Sequence, residues 1–182
     1  MEQTGTVKLA KVLKVLVTIV FICNLIVLPL VPGVVSLGVN GIAQLAAYDW
    51  DDLIGNMVAC LASVWQVEYE AVLTGFLLFC GVCTAVTLWQ AKGVLGTVIR
   101  GNTFTFPNAR RMRIAAICMF LISGAALCRM LWEFSIFRTI QPIFTYNALF
   151  IPIFTMGGLL CMVMSALFRQ AAELKEENDL TI

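Results

Sequence analysis

Arg100-Gly-Asn-Thr-Phe-Thr-Phe-Pro-Asn-Ala-Arg-Arg-Met-Arg113 is the most basic stretch of the chain, and a long apolar run lies on either side of it. Arginines clustered beside membrane-spanning segments are retained on the cytoplasmic side during insertion. This stretch, called the basic connector below, is therefore predicted to face the cytoplasm. Once its side of the membrane is assigned, the side of every other loop follows.

The composition is that of a membrane protein, since 60% of the 182 residues are hydrophobic and only 13% are charged. Soluble domains are closer to half apolar and about a quarter charged. The apolar residues fall into four runs, at about 12–31, 71–89, 114–132 and 148–168. A helix needs roughly 20 residues to cross a bilayer core. We therefore predict one all-α membrane domain over residues 1–182, an integral four-helix transmembrane bundle.

The distribution of positive charge assigns the sides of the loops. Of the 12 lysines and arginines, only Arg129, at the predicted outer end of the third run, and Arg138 lie on the outer side, which leaves 12 − 2 = 10 on the other side. This bias predicts that both termini are cytoplasmic. The net charge of +1 gives no general attraction to nucleic acid, so we expect no direct nucleic-acid partner.

The loop between spans 1 and 2, at about 33–69, is long, acidic and free of lysine and arginine. Its apolar residues recur at helical spacing, at Trp50, Leu53, Ile54, Met57, Leu61 and Val64. This pattern predicts an extra amphipathic helix in the outer loop. Cation binding by the nearby aspartates is the alternative, which the absence of calcium-loop spacing disfavours.

Residues that carry chemistry are scarce, because the chain has seven cysteines and no histidine. Catalytic sites and metal sites that depend on imidazole are thereby excluded. Cys80-Gly-Val-Cys83 lies near the middle of span 2, where a thiol stays protonated and inert. We expect no catalytic residue, no cofactor and no metal, and we interpret the protein as non-enzymatic. A membrane thiol-redox enzyme is the weakest alternative.

Arg129 and Glu133 are one helical turn apart at the outer end of span 3. A charged side chain is costly within hydrocarbon, so the two residues are expected to pair. They form the candidate polar site, although a purely structural role is favoured. Small residues in spans 3 and 4, namely Ser123 to Ala126 and the series Gly157, Cys161 and Ser165, predict close helix packing.

Two motifs resemble a bacterial family of uncharacterised four-span membrane proteins, DUF2975. They are the segment Gly101–Arg113 and the ending Leu174-Lys-Glu-Glu-Asn-Asp-Leu-Thr-Ile182. Family members are often encoded beside a small helix-turn-helix regulator. The resemblance therefore implies a cytosolic regulatory partner, and it implies no catalytic residues.

The favoured function is that of a non-enzymatic sensor or regulatory partner of a cytosolic protein. Its candidate contact surface combines the basic connector with the acidic tail: Arg100, Arg110, Arg111, Arg113, Glu173, Glu176 and Glu177. The opposite charges of the two parts are also able to pair with each other, and a partner would then compete with that contact. The alternative is a small transporter, efflux or immunity protein that works as a homo-oligomer. Membrane lipids are expected partners in either case.

Overall fold

The computed structural model describes residues 2–40, 62, 64–138 and 146–180, and these residues are almost entirely α-helical. Helix α1 is Glu2–Asn40, α2 is Glu68–Ile99, α3 is Phe106–Phe137 and α4 is Tyr146–Leu180, with a 3-10 turn at Val64–Gln66. The described residues contain no strand. Each of the four helices is long and apolar enough to cross a membrane. The described residues confirm the all-helical class, and each of the four predicted apolar runs lies within one of these helices.

The helices are longer than the apolar runs that predicted them. Helix α2 has 32 residues, which at about 1.5 Å per residue exceeds a bilayer core about 30 Å thick. Helix α1 also continues through Pro29 and Pro32, near which the sequence predicts a bend or an end. A proline inside a helix removes one backbone hydrogen bond, and membrane-spanning helices tolerate that loss.

The predicted amphipathic helix in the outer loop falls mostly outside the described residues. Of the positions that define it, only Val64 is described, and this residue is buried at the start of the 3-10 turn. The extra helix therefore stays a prediction.

The chain divides into two units, residues 1–23 with 83–182, and residues 24–82. In the first unit α3 and α4 pack against each other as antiparallel neighbours. The Ser165 hydroxyl, late in α4, donates to the Ala109 carbonyl early in α3 over 2.7 Å. The Ser123 hydroxyl, in the middle of α3, donates to the Ile151 carbonyl near the start of α4 over 3.1 Å.

Two adjacent glycines allow α3 and α4 to approach closely. A Cβ atom on Gly158 would lie 3.0–3.1 Å from three ring atoms of Phe120, and one on Gly157 would lie 3.0 Å from the Met119 sulfur. Gly157 and Ser165 belong to the small-residue series predicted for span 4, and both lie in this contact. Small residues allow side chains of the facing helix to pack against the backbone, which favours association within lipid.

In the second unit, the later part of α1 packs against the first part of α2. A Cβ on Gly81 would lie 2.8 Å from Leu28 Cδ2, so a larger residue at this position would force the leucine side chain to shift. A cavity of about 300 Å³ lies beside it and is lined by Asn24 and by apolar side chains. Among the described residues the Oδ1 atom of Asn24 has no hydrogen-bond partner.

Candidate functional site

The basic connector begins with a defined turn at the end of α2. Gly101 adopts a left-handed backbone conformation with φ of +79°, which a side chain would disfavour. Its N–H donates to the Val98 carbonyl over 3.0 Å, and the Asn102 N–H donates to the Thr97 carbonyl over 3.1 Å. This is the Schellman pattern of helix termination, and it fixes the direction in which the chain leaves α2.

The start of helix α3 agrees with local backbone preferences. Thr105 is the N-cap residue with an extended backbone, and Pro107 lies in the first turn. The N–H groups of Asn108 and Ala109 donate to the Thr105 carbonyl. The Thr105 hydroxyl makes no capping hydrogen bond, so the backbone and the proline define this helix start.

Asn108 joins the end of α2 to the start of α3. Its side chain is fully buried, and the amide nitrogen donates to the Thr97 hydroxyl over 2.6 Å and to the Thr103 carbonyl over 2.8 Å. The Thr97 hydroxyl in turn donates to the Val94 carbonyl over 2.6 Å. The chain of hydrogen bonds therefore joins the last turns of α2 to the first turn of α3, and each bond polarises the next.

An apolar cluster joins the same connector to α4. Val94 from α2, Ala109 from α3 and Phe168 from α4 are buried against one another. The ring of Phe104, in the connector, meets the Phe168 ring edge to face with centroids 5.8 Å apart. Three helices and the connector are thus in mutual contact at the basic end of the first unit.

The four connector arginines of the predicted contact surface do not lie together. Arg100 is exposed, and its Nε donates to the Gly96 carbonyl over 3.2 Å. Arg111 packs across α2, where its guanidinium carbon lies 2.9 Å from the position that a Cβ on Gly93 would take.

Arg110 and Arg113 lie on the other side of α3, where they line an open cavity of about 450 Å³ between α3 and α4. Arg169 of α4 lines the same cavity, although it is not one of the residues of the predicted contact surface. The spacing of three between Arg110 and Arg113 indicates that they share a helix face. No spacing along the chain indicates that Arg169 joins them, because its position relative to them depends on how α4 packs against α3.

The acidic residues of the predicted surface lie on the last turns of α4. Glu173, Glu176 and Glu177 are all exposed. Glu173 accepts from Arg169 Nε over 2.9 Å, a pair formed within α4 itself. Exposed pairs of this kind are weak, about 0.3–0.5 kcal/mol, so the contact can give way to a partner.

Arg129 and Glu133 form the ion pair that their spacing predicts. The Nη2 atom of Arg129 lies 2.8 Å from Oε1 of Glu133, and the two side chains are 4% and 5% exposed. Burial removes hydration from both charges, and the short contact offsets much of that cost.

The described cysteines differ in burial. Cys80, Cys83 and Cys118 are buried, whereas Cys23 and Cys128 are exposed. None of the six described cysteines forms a disulfide. Among the described residues, no group of histidine, cysteine, aspartate or glutamate side chains is arranged to hold a metal ion.

A family model described as a protein of unknown function, DUF2975, matches residues 66–182. The match covers more than half of the chain and includes α2, the basic connector, α3 and α4. Comparisons with curated proteins and with solved structures give no significant match. The chain belongs to the DUF2975 family.

Proposed function

We propose that the chain is a non-enzymatic regulatory protein of the bacterial plasma membrane whose cytoplasmic face binds a cytosolic protein. Both termini and the basic connector lie on that face in this proposal, as the bias of positive charge indicates. A small helix-turn-helix regulator is the first candidate for the partner. The observation that carries the proposal is the ordered connector, in which buried Asn108 holds arginines on a defined backbone.

The end of α4 supplies the second part of the contact surface. Helix α4 continues to Leu180, well beyond the predicted span at 148–168. Leu174 is 61% exposed among the exposed carboxylates of Glu173, Glu176 and Glu177. An apolar side chain bordered by charges is typical of a protein contact, in which an apolar centre is surrounded by a polar rim.

The direct test is recovery of the regulator with the purified full-length chain and with a form that lacks the last ten residues, 173–182. We expect the full chain to retain a regulator encoded beside it, and we expect the shortened chain to lose most of that binding. The variant Leu174→Ser removes the exposed apolar side chain and tests its contribution to binding. Lys175→Gln is the control in the same helical turn.

Equal recovery with and without the tail would remove the tail from the contact surface. Failure of the full chain to retain any regulator would overturn the proposal. The orientation has its own test, in which a reporter that works only in the cytoplasm is fused after Asn102 or after Ile182. We expect activity at both positions. An inactive cytoplasmic reporter, together with activity of an outer-side reporter at the same position, would contradict the proposed topology.

A further inference from the structure

We infer that the cavity lined by Arg110, Arg113 and Arg169 is a binding site for the headgroup of an anionic phospholipid. This inference goes beyond the proposed function, because it concerns a ligand from the bilayer and needs no soluble protein. It rests on the charge of the cavity, on the apolar part of its wall and on its position along the two helices.

The cavity has an excess of positive charge. Three guanidinium groups line it, and no carboxylate of the described residues does. Arg169 pairs with Glu173, whereas Arg110 and Arg113 lie in no salt bridge with any of the described residues. A phosphodiester is the matching ligand, because guanidinium groups bind phosphate oxygens through paired, charge-assisted hydrogen bonds.

The rest of the wall is apolar, and its volume suits a headgroup. Phe106, Met162 and Ala166 are among the other lining residues, and the whole cavity measures about 450 Å³. Binding sites for small molecules have volumes of this order. A free inorganic anion would leave the apolar wall exposed to water, whereas the glycerol and upper acyl carbons of a lipid would cover it.

The position of the cavity favours a lipid over an acidic protein. Arg113 directly precedes the apolar run that begins at Ile114, and Met162 lies within the apolar run of α4. The guanidinium groups thus lie at the border between polar and apolar segments. In a bilayer this border is at the depth where lipid phosphates lie. Each basic side chain near an anionic membrane surface adds about 1 kcal/mol, or roughly fivefold, to lipid binding.

The test titrates the purified full-length chain, in a neutral detergent, with phosphatidylglycerol or phosphatidylcholine of the same acyl chains. Bound lipid is counted by native mass spectrometry. We expect phosphatidylglycerol to be retained at least tenfold better. The double variant Arg110→Gln and Arg113→Gln should abolish that preference, because two losses of about fivefold multiply to about 25-fold. Arg100→Gln is the matched control, because Arg100 belongs to the same connector and does not line the cavity.

A second variant, Ala166→Leu, adds bulk to the cavity without changing any charge, and it should reduce retention of phosphatidylglycerol. Thermal unfolding of each variant, followed by circular dichroism, verifies that the helices are intact. Equal retention of the two lipids, or an equal loss with Arg100→Gln, would overturn the inference. Displacement of the lipid by millimolar inorganic phosphate would overturn it in favour of a free anion. Displacement by polyglutamate at equal concentration would overturn it in favour of an acidic protein.

No soluble partner is present in this experiment. A negative result therefore leaves the proposed protein contact untouched, and failure to recover a regulator leaves the lipid site untouched.

Discussion

Replacing Asn108 by alanine tests whether one buried side chain holds the basic connector in place. The substitution removes two hydrogen bonds, of 2.6 Å to the Thr97 hydroxyl and of 2.8 Å to the Thr103 carbonyl. Each is worth about 1 kcal/mol net, and the emptied volume adds to the loss because the side chain is fully buried. We expect Asn108→Ala to lower the free energy of unfolding by about 2–3 kcal/mol.

Thr97 provides the matched variants. Thr97→Val removes the hydroxyl that accepts from Asn108 and donates to the Val94 carbonyl, whereas Thr97→Ser keeps a hydroxyl at that position. The combined variant with Asn108→Ala should lose about 1 kcal/mol less than the sum of the single losses, because the shared hydrogen bond is lost only once. Thr97→Ser should show no such coupling with Asn108→Ala if the serine hydroxyl takes the place of the threonine hydroxyl. A coupling of similar size would mean that the serine hydroxyl does not replace it.

The assay is reversible unfolding in mixed micelles, with amide hydrogen exchange as a local measurement. The Asn102 N–H, which donates to the Thr97 carbonyl, should exchange faster in Asn108→Ala because the turn around it loosens. If the free energy of unfolding of Asn108→Ala lies within about 0.5 kcal/mol of that of the unsubstituted protein, the change behaves as a neutral surface substitution. That result would refute the role of Asn108 in holding the connector. Strict additivity of Asn108→Ala and Thr97→Val would refute the hydrogen bond between them.

Three further changes are tested by the same unfolding assay. Glu133→Ala removes the carboxylate 2.8 Å from Arg129 and should cost about 3 kcal/mol, whereas replacing both residues by methionine should recover most of that loss. Gly158→Ala should cost about 1–3 kcal/mol through its contact with a phenylalanine ring, while Gly124→Ala, whose Cβ meets no atom within 4 Å, should be neutral or stabilising. Gly101→Ala should cost about 1–2 kcal/mol, because its backbone is left-handed. A loss with Gly124→Ala as large as that with Gly158→Ala would contradict the packing of α3 and α4 described above.

The features that the sequence predicted are those set by neighbours along the chain. Four apolar runs predict four helices whatever their arrangement, and Thr105 with Pro107 marks the start of α3 by local backbone preference alone. The pairing of Arg129 with Glu133 follows in the same way from a spacing of four on one helix.

The features that escaped prediction depend on contacts between distant segments. Asn108 lies in a polar, basic stretch, where an asparagine is ordinarily exposed, and its burial follows from the return of α3 against the end of α2. Arg169 joins Arg110 and Arg113 only because α3 and α4 are antiparallel in one particular register. Helical periodicity alone places Arg111 on a different face of α3 from Arg110 and Arg113, so the prediction that all three form one surface was wrong.

The turn between α2 and α3 has a mechanical consequence. Only the six residues 100–105 separate Ile99 from Phe106, and hydrogen bonds hold both ends of this segment. A short segment that is held at both ends transmits the movement of one helix to the next. A displacement or rotation of α2 at Ile99 is therefore expected to reach the first turn of α3 and the guanidinium groups of Arg110 and Arg113.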